Sequence, residues 1–318
     1  MKKLVVVLAL VGCGRAQSLS GLRQQLRGDL RDLHFAQSLI GLVLTSNELE
    51  LGGGSYSIND TASTDLQTFA MPVHTRVELA GRDAPQLYLE ASLGYAEAKQ
   101  RLGDIYGGAA PGIETSVHSR WRTFGALVGA GLEYELADGL TLAPIVNAAV
   151  SRIDNRTDYG GPGSNVTAAI ADGIAFNWDA TALTYGVATR IEWQRELGNE
   201  LRLDLVARYD VRWTETIEED DAAQDFVARS QLLTLRGDLF GPTGMAVFGA
   251  QLDWQATVAY RVLPEATLFG VRDYVEVGGS LLARYGDLLP AGSGVAFSAA
   301  AFFGEDFAGW TVGMRMLF

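Results

Sequence analysis

The residues with most chemical potential in this 318-residue chain stand in LRLDLVARYDVRW, Leu201 to Trp213, where Arg202, Asp204, Arg208, Asp210 and Arg212 fall on one alternation. In a strand, successive side chains point to opposite faces. These cations and carboxylates would therefore share a row, while Leu201, Leu203, Leu205, Ala207, Tyr209, Val211 and Trp213 share the other face. Arg76 and Glu78 in MPVHTRVEL, Glu90 in QLYLEASLGY, and Arg190 and Glu192 in TALTYGVATRIEW repeat the pattern. Rows of mixed sign suit ion pairing and a transverse field across an aqueous lumen; they do not suit bond making.

Other reactive groups are few. The histidines are His34, His74 and His118, and His74 shares an alternation face with Ser92 on the following strand. No G-x-S-x-G, metal-spaced histidine pair or phosphate-binding loop accompanies them. The expected catalytic, cofactor and metal sites are none. Glu218, Glu219, Asp220, Asp221 and Asp225 offer hard oxygen ligands that could hold Ca²⁺, but their spacing matches no EF-hand and reads as a solvated loop. The net charge of −13 excludes nucleic acid as a partner, because phosphate binding needs a basic surface.

These rows need elements to hold them, and the elements are long strands. From about Leu66 the hydrophobic period is two, repeated many times, as in Phe124 to Tyr134, AVFGAQLDWQATVAY, VEVGGSLLARY and VAFSAAAFF. The face opposite the apolar one is rich in Gly, Ser, Arg, Asp and Glu, unlike a packed core. Short turns such as Ala137-Asp138-Gly139 and Leu197-Gly198-Asn199-Glu200 alternate with longer polar stretches such as DNRTDYGGPGSNV and TETIEEDDAAQD. The expectation is an all-β, antiparallel transmembrane barrel of about 12 strands over residues 35–318. Closure in lipid satisfies every backbone donor and acceptor without water. The apolar face then meets lipid, with Tyr95, Tyr134, Trp193, Trp213, Tyr260, Tyr285, Trp310 and Phe318 near the strand ends as interfacial aromatics.

Residues 1–16 carry two lysines, an apolar run and small residues, the form of a secretory signal too short to span a bilayer as a helix. Cleavage after Ala16 and lipidation of Cys13 are alternative processing routes. Cys13 is the sole cysteine, so no disulfide can form within the chain. Across residues 17–34, Leu19, Leu22, Leu26, Leu30 and Leu33 form the stripe of an amphipathic helix, and Arg23, Arg27 and Arg31 form a second stripe. This helix is expected to plug the lumen by pairing with Asp204, Asp210, Glu192 or Glu90. Gly52-Gly53-Gly54 is read as a break after it.

A lumenal helix, a barrel of about 12 strands and a last strand WTVGMRMLF together resemble the translocator domain of bacterial autotransporters. With only a signal before the helix, the layout resembles the solitary autotransporter-like outer-membrane barrel without a passenger. The resemblance implies the outer membrane of a Gram-negative bacterium, no enzymatic activity, and a monomer whose partners are outer-membrane lipid and lipopolysaccharide. It also implies that Trp310, Val312, Met314, Met316 and Phe318 form a signal read by the barrel assembly machinery, with Arg315 turned inward and Gly313 at the closing seam. The expected role is structural or transport-related. A small-solute porin and an adhesin or receptor acting through its loops are the alternatives.

Overall fold

The computed structural model describes residues 19–31, 51–59, 63–79, 84–103, 114–264, 271–285, 294–305 and 307–317. The signal, Cys13, His34 and Phe318 lie outside them. Twelve antiparallel strands close on themselves: β1 (Leu51–Asn59), β2 (Ser63–Glu78), β3 (Gln86–Leu102), β4 (Ser116–Ala137), β5 (Leu140–Gly160), β6 (Trp178–Gly198), β7 (Leu201–Glu219), β8 (Val227–Val247), β9 (Ala250–Val262), β10 (Asp273–Arg284), β11 (Gly294–Gly304) and β12 (Phe307–Leu317). Each strand pairs with its sequence neighbours, and β1 pairs with β12 to complete the ring. Helix α1 (Leu19–Arg31) precedes the barrel, and α2 (Ser164–Ala171) lies between β5 and β6.

One rim carries tight turns. Asp138-Gly139, Asn199-Glu200 and Phe248-Gly249 each join two strands, with positive φ at Gly139, Asn199, Glu200, Phe248 and Gly249. The opposite rim carries residues 161–177 and 220–226. We call these the inner and outer rims, following the short periplasmic turns and longer outer loops of such barrels.

The alternation faces as expected. Val73, Val128, Val146, Val187, Leu235 and Val258 are among the large apolar side chains left exposed on the outside wall. Ser92, Asn147, Glu192, Asp210 and Arg212 are buried on the inside. Two readings need correction. The polar stretches from Asp154 and Thr214 continue as strand to Gly160 and Glu219. A strand of 21 residues such as β5 spans about 69 Å. Crossing an apolar band about 25 Å tall takes roughly half of that, so the outer ends of these strands stand above the band as charged sheet.

The second correction concerns Gly52-Gly53-Gly54, which lies inside β1 and not at a break. A Cβ on Gly52 would sit 2.3 Å from the Val312 carbonyl oxygen, and one on Gly54 would sit 2.7 Å from the Tyr56 hydroxyl. The glycines let β1 approach β12 and let the Tyr56 ring lie over the wall. Gly52 pairs with Gly313, which places that residue at the closing seam as expected.

Candidate functional site

The inward charges are held in groups of ion pairs along and across the lumen. Arg208 on β7 donates from Nη1 to Glu90 on β3 at 2.7 Å and from Nε to Asp210 at 2.8 Å, and Arg212 donates to Asp210 at 2.8 Å. Strands β3 and β7 are four apart in the ring, so this is a bridge across the lumen and not a contact along the wall. Arg76 on β2 makes a second bridge, with Nε 2.8 Å from Glu133 and Nη2 2.7 Å from Glu192. Arg190 pairs with Glu192 at 3.0 Å and Arg202 with Asp204 at 3.1 Å. Glu78 stands exposed near the inner rim and makes no ion pair among the described residues.

The side chains of Arg208 and Asp210 are each 3 % exposed. Charges this buried must be paired, because an unpartnered one bears the whole desolvation cost. The paired charges therefore neutralise one another, and the rows do not stand as the free charges expected to set a field. Glu133 stands inward on the alternation of Phe124 to Tyr134, while sequence reasoning did not single out Arg236, Asp238, Arg261 and Glu276, which also turn inward. Arg236 pairs with Asp238 at 2.7 Å and Arg261 with Glu276 at 3.1 Å. Their signal was present in LRGDL and AYRV, on the same alternation as the others. Arg315 turns inward as expected and donates to Gln255 at 3.2 Å.

Toward the outer rim the lumen changes character. Tyr56, Tyr274, Phe302 and Phe307 are buried against one another, with ring centroids 5.1 to 5.9 Å apart. Trp121 meets Trp178 edge-on at 5.4 Å. Ile153, Leu66 and Leu232 join this apolar layer. This layer departs from the reading of the inner face as polar and unlike a packed core. Beside β10 to β12 lies a small cavity of about 30 Å³, lined by Gly278, Ser280, Ser298, Ala300, Thr311 and Gly313 and by the charged Arg236 and Glu276.

Helix α1 sits at the outer mouth. Arg23 and Arg27, one helical turn apart, reach two different loops. Arg23 donates to the carbonyl oxygens of Ala169 at 2.9 Å and Asp172 at 3.0 Å, at the C-terminal end of α2, where carbonyls lack intrahelical partners and the dipole favours a cation. Arg27 forms a forked pair with Asp221 between β7 and β8, the shorter arm being 2.6 Å. Asp221, held also by the Ala223 N–H, has its carboxyl drawn below the usual carboxylate range, chiefly by the Arg27 hydrogen bond. Gln224 donates to the Ile174 carbonyl at 2.7 Å and ties the two loops together. The side chain of Arg31 lies outside the described residues.

These partners differ from the expected ones. Glu90, Glu192, Asp204 and Asp210 are taken by wall arginines, so the helix arginines bind loop groups above them. The acidic stretch is likewise used internally. Asp221 holds Arg27, Asp220 accepts the Asp179 N–H at 2.7 Å, and Glu218 accepts the Thr181 hydroxyl at 3.3 Å. His74 stacks on Tyr88 at 6.4 Å, and the Ser92 hydroxyl is buried without a hydrogen-bond partner among the described residues. The two do not form a nucleophile and base. Trp310, Val312 and Met314 face outward with large exposed surfaces, while the side chain of Met316 and all of Phe318 lie outside the described residues.

Solved structures similar to this barrel include autotransporter domains. The transport unit of the autotransporter AIDA-I from Escherichia coli superposes with a TM-score of 0.51 at 12% identity, covering 89% of this chain and 98% of that one. The translocator domain of NalP from Neisseria meningitidis gives 0.47 at 10% identity over 89% and 94%. The beta domain of the Bordetella autotransporter BrkA gives 0.44 at 14% identity over 84% and 98%. No curated protein sequence matches. The model of the solitary outer membrane autotransporter beta-barrel domain matches residues 50–235, more than half of the chain. The chain belongs to the family of solitary outer membrane autotransporter β-barrel domains.

Proposed function

We propose that the protein is a self-plugged barrel of the Gram-negative outer membrane, with a structural or transport role and no catalysis, in which α1 closes the outer mouth. The observation that carries this reading is the double attachment of α1, by Arg23 to the end of α2 and by Arg27 to Asp221. One side chain on a flexible loop would be a chance contact. Two arginines one turn apart, bound to loops from different hairpins, fix the helix in position and orientation. Below it, the aromatic layer and the Arg208 bridge leave ions no wide path.

The test is conductance in planar bilayers. The intact chain should give small, rare openings, and removal of residues 18 to 33 should raise the single-channel conductance several-fold. Equal conductance of the two would overturn the plug. Heat-modifiable gel mobility of the outer-membrane fraction tests the barrel and its location, since a folded barrel resists unfolding in detergent at room temperature. The alternating outward residues Trp310, Val312 and Met314 support a role for the last strand in barrel assembly.

A second reading, a small-solute channel, draws support from the run of small inward residues along β10 to β12, among them Gly278, Ser280, Ser298, Ala300 and Gly313. Liposome swelling with neutral solutes separates the two readings: a resident channel admits them with α1 in place, and a plugged barrel does not.

A further inference from the structure

Helix α1 is written as a repeat. Leu22-Arg23, Leu26-Arg27 and Leu30-Arg31 follow one another at steps of four within LRQQLRGDLRDL. The outer mouth, in turn, presents two sockets for an arginine, one at the end of α2 and one at Asp221. In the structure Arg23 fills the first and Arg27 the second.

Both sockets are shaped by contacts that do not involve α1. At the end of α2 the Ala168 carbonyl accepts the Asp172 N–H, and the Ala171 carbonyl accepts those of Ile174, Ala175 and Phe176. The carbonyls of Ala169, Ile170 and Asp172 accept from Arg23 instead, at 2.9, 3.4 and 3.0 Å. Behind them the Asp172 carboxylate accepts from the Tyr159 hydroxyl on β5 at 2.6 Å and from the Asn177 amide at 2.7 Å. Asp221 accepts the Ala223 N–H at 3.0 Å, and Gln224 accepts the Asp221 N–H while donating to the Ile174 carbonyl. Gln224 thereby sets the spacing of the two sockets, and that spacing takes side chains one helical turn apart.

The rest of the seat suits the repeat as well. Leu26 is buried and Leu22 half-buried, whereas Gln24 and Gln25 are exposed. A shift of α1 by four residues brings Leu26, Arg27, Leu30 and Arg31 to the places of Leu22, Arg23, Leu26 and Arg27. Gly28 and Asp29 then fall on the two exposed places, where neither meets an apolar wall. A shift the opposite way would bring Leu19 to the first socket. One alternative register therefore fills both sockets, and Arg27 serves in each of the two.

We propose that the mouth is a two-socket receptor on which α1 docks in two registers, Arg23 with Arg27 and Arg27 with Arg31, separated by a slide of about 6 Å along the helix axis. The proposal rests on the self-plugged reading above, because α1 sits at the mouth in both registers. Exposure makes the exchange accessible: the Arg27 side chain is 39 % exposed, so water solvates it while it passes from Asp221 to the α2 carbonyls.

The test uses the full chain with Cys13→Ser, refolded in detergent and spin-labelled at Gln24→Cys and Val227→Cys, two exposed positions. Val227 lies at the base of the Asp221 loop, so the slide carries position 24 away from it. Two distance populations are expected, separated by up to about 6 Å. On the scale of exposed ion pairs, Arg31→Gln should enrich the shorter up to about fivefold and Arg23→Gln the longer by the same factor. Arg27→Gln strikes both registers alike. It should leave their ratio unchanged and raise the frequency of openings in planar bilayers up to about fivefold, against about twofold for Arg23→Gln or Arg31→Gln. The heat-modifiable band confirms that each variant is folded.

A single distance population would overturn the proposal, as would two populations whose ratio ignores Arg23→Gln and Arg31→Gln. So would openings that rise equally with Arg23→Gln and Arg27→Gln while Arg31→Gln is silent, the pattern of one fixed register. Unchanged conductance on removal of residues 18 to 33 would instead overturn the plug beneath it, whatever the distances show.

Discussion

Two regions of the barrel use the same chemistry, an arginine held by a carboxylate, under different solvent conditions. At mid-lumen, Arg208 and Asp210 are each 3 % exposed, and Arg208 also holds Glu90. At the outer mouth, Arg27 is 39 % exposed and Asp221 13 %. The buried bridge has no water to replace a lost partner, so it can only be intact or be a defect. The mouth pair faces water, which solvates either partner at small cost when the two separate. The buried pairs therefore belong to the wall, and the exposed pair is the one that can separate and re-form. A helix meant to plug and unplug belongs at the second level.

Arg208→Met tests the first half of this contrast hardest. It leaves Glu90 and Asp210 buried with one of their cations removed, and breaking a buried pair from one side costs about 3–5 kcal/mol. The expected result is a lower urea midpoint of the folded barrel in detergent, followed by the heat-modifiable band. A restorative Glu90→Gln in the same chain should recover part of the loss. An unchanged midpoint would mean that the lumen is wetter than its burial indicates, and the contrast would fail.

Next in size is Gly309→Ala. Its Cβ would stand 2.6 Å from the Tyr56 ring and 2.7 Å from the Ser55 carbonyl oxygen, so the aromatic layer and the β1–β12 seam must shift together. Overpacking of this kind costs about 1–3 kcal/mol. The measurement is again the urea midpoint, and the same substitution at the exposed Gly244 serves poorly as control because its φ is +71°. Gly103, with open space around its Cβ position, is the better control and should change little.

How far the sequence could lead is visible in these same residues. The alternation of Arg202 through Arg212 determined which face would be charged, because a period of two follows from strand geometry alone. The partners of Arg208 and Arg76 were out of reach, since β3 and β7, or β2, β4 and β6, meet only through closure and tilt of the whole ring. Gly52-Gly53-Gly54 was misread for a related reason. A glycine run carries a local signal for a break, whereas its use here is close approach to a strand more than 250 residues later. The arginine stripe of α1 was legible as a binding face. Its ligands were not, because loop carbonyls and Asp221 have no periodicity to announce them.

Asp221→Asn addresses the pair at the outer mouth. The pair is exposed enough that its stability contribution falls in the range of surface ion pairs, about 0–1 kcal/mol, so the urea midpoint should hardly move. What should move is occupancy of the mouth: more frequent openings in planar bilayers, and faster cleavage of α1 by an externally added protease cutting at arginine. A midpoint that fell as far as in Arg208→Met would erase the distinction between the two levels.

The smallest effect, and the sharpest on mechanism, is the response to pH. The Asp221 carboxyl lies below its ordinary value of about 3.9 because Arg27 favours the charged form. Its contribution to holding α1 is therefore complete above the unperturbed value and disappears as the pH falls through the lowered one. Openings should be flat from neutrality down to about pH 4 and should increase below it. Arg23 sharpens the expectation, since its partners are the carbonyls of Ala169 and Asp172, which do not titrate. Acid should loosen one end of the clamp and leave the other, giving longer partial openings and not full ones. In Asp221→Asn the acid step should vanish and leave a pH-independent intermediate conductance. An acid step that survived in Asp221→Asn would assign the sensor to another carboxylate and leave Arg27 as a contact without a switching role.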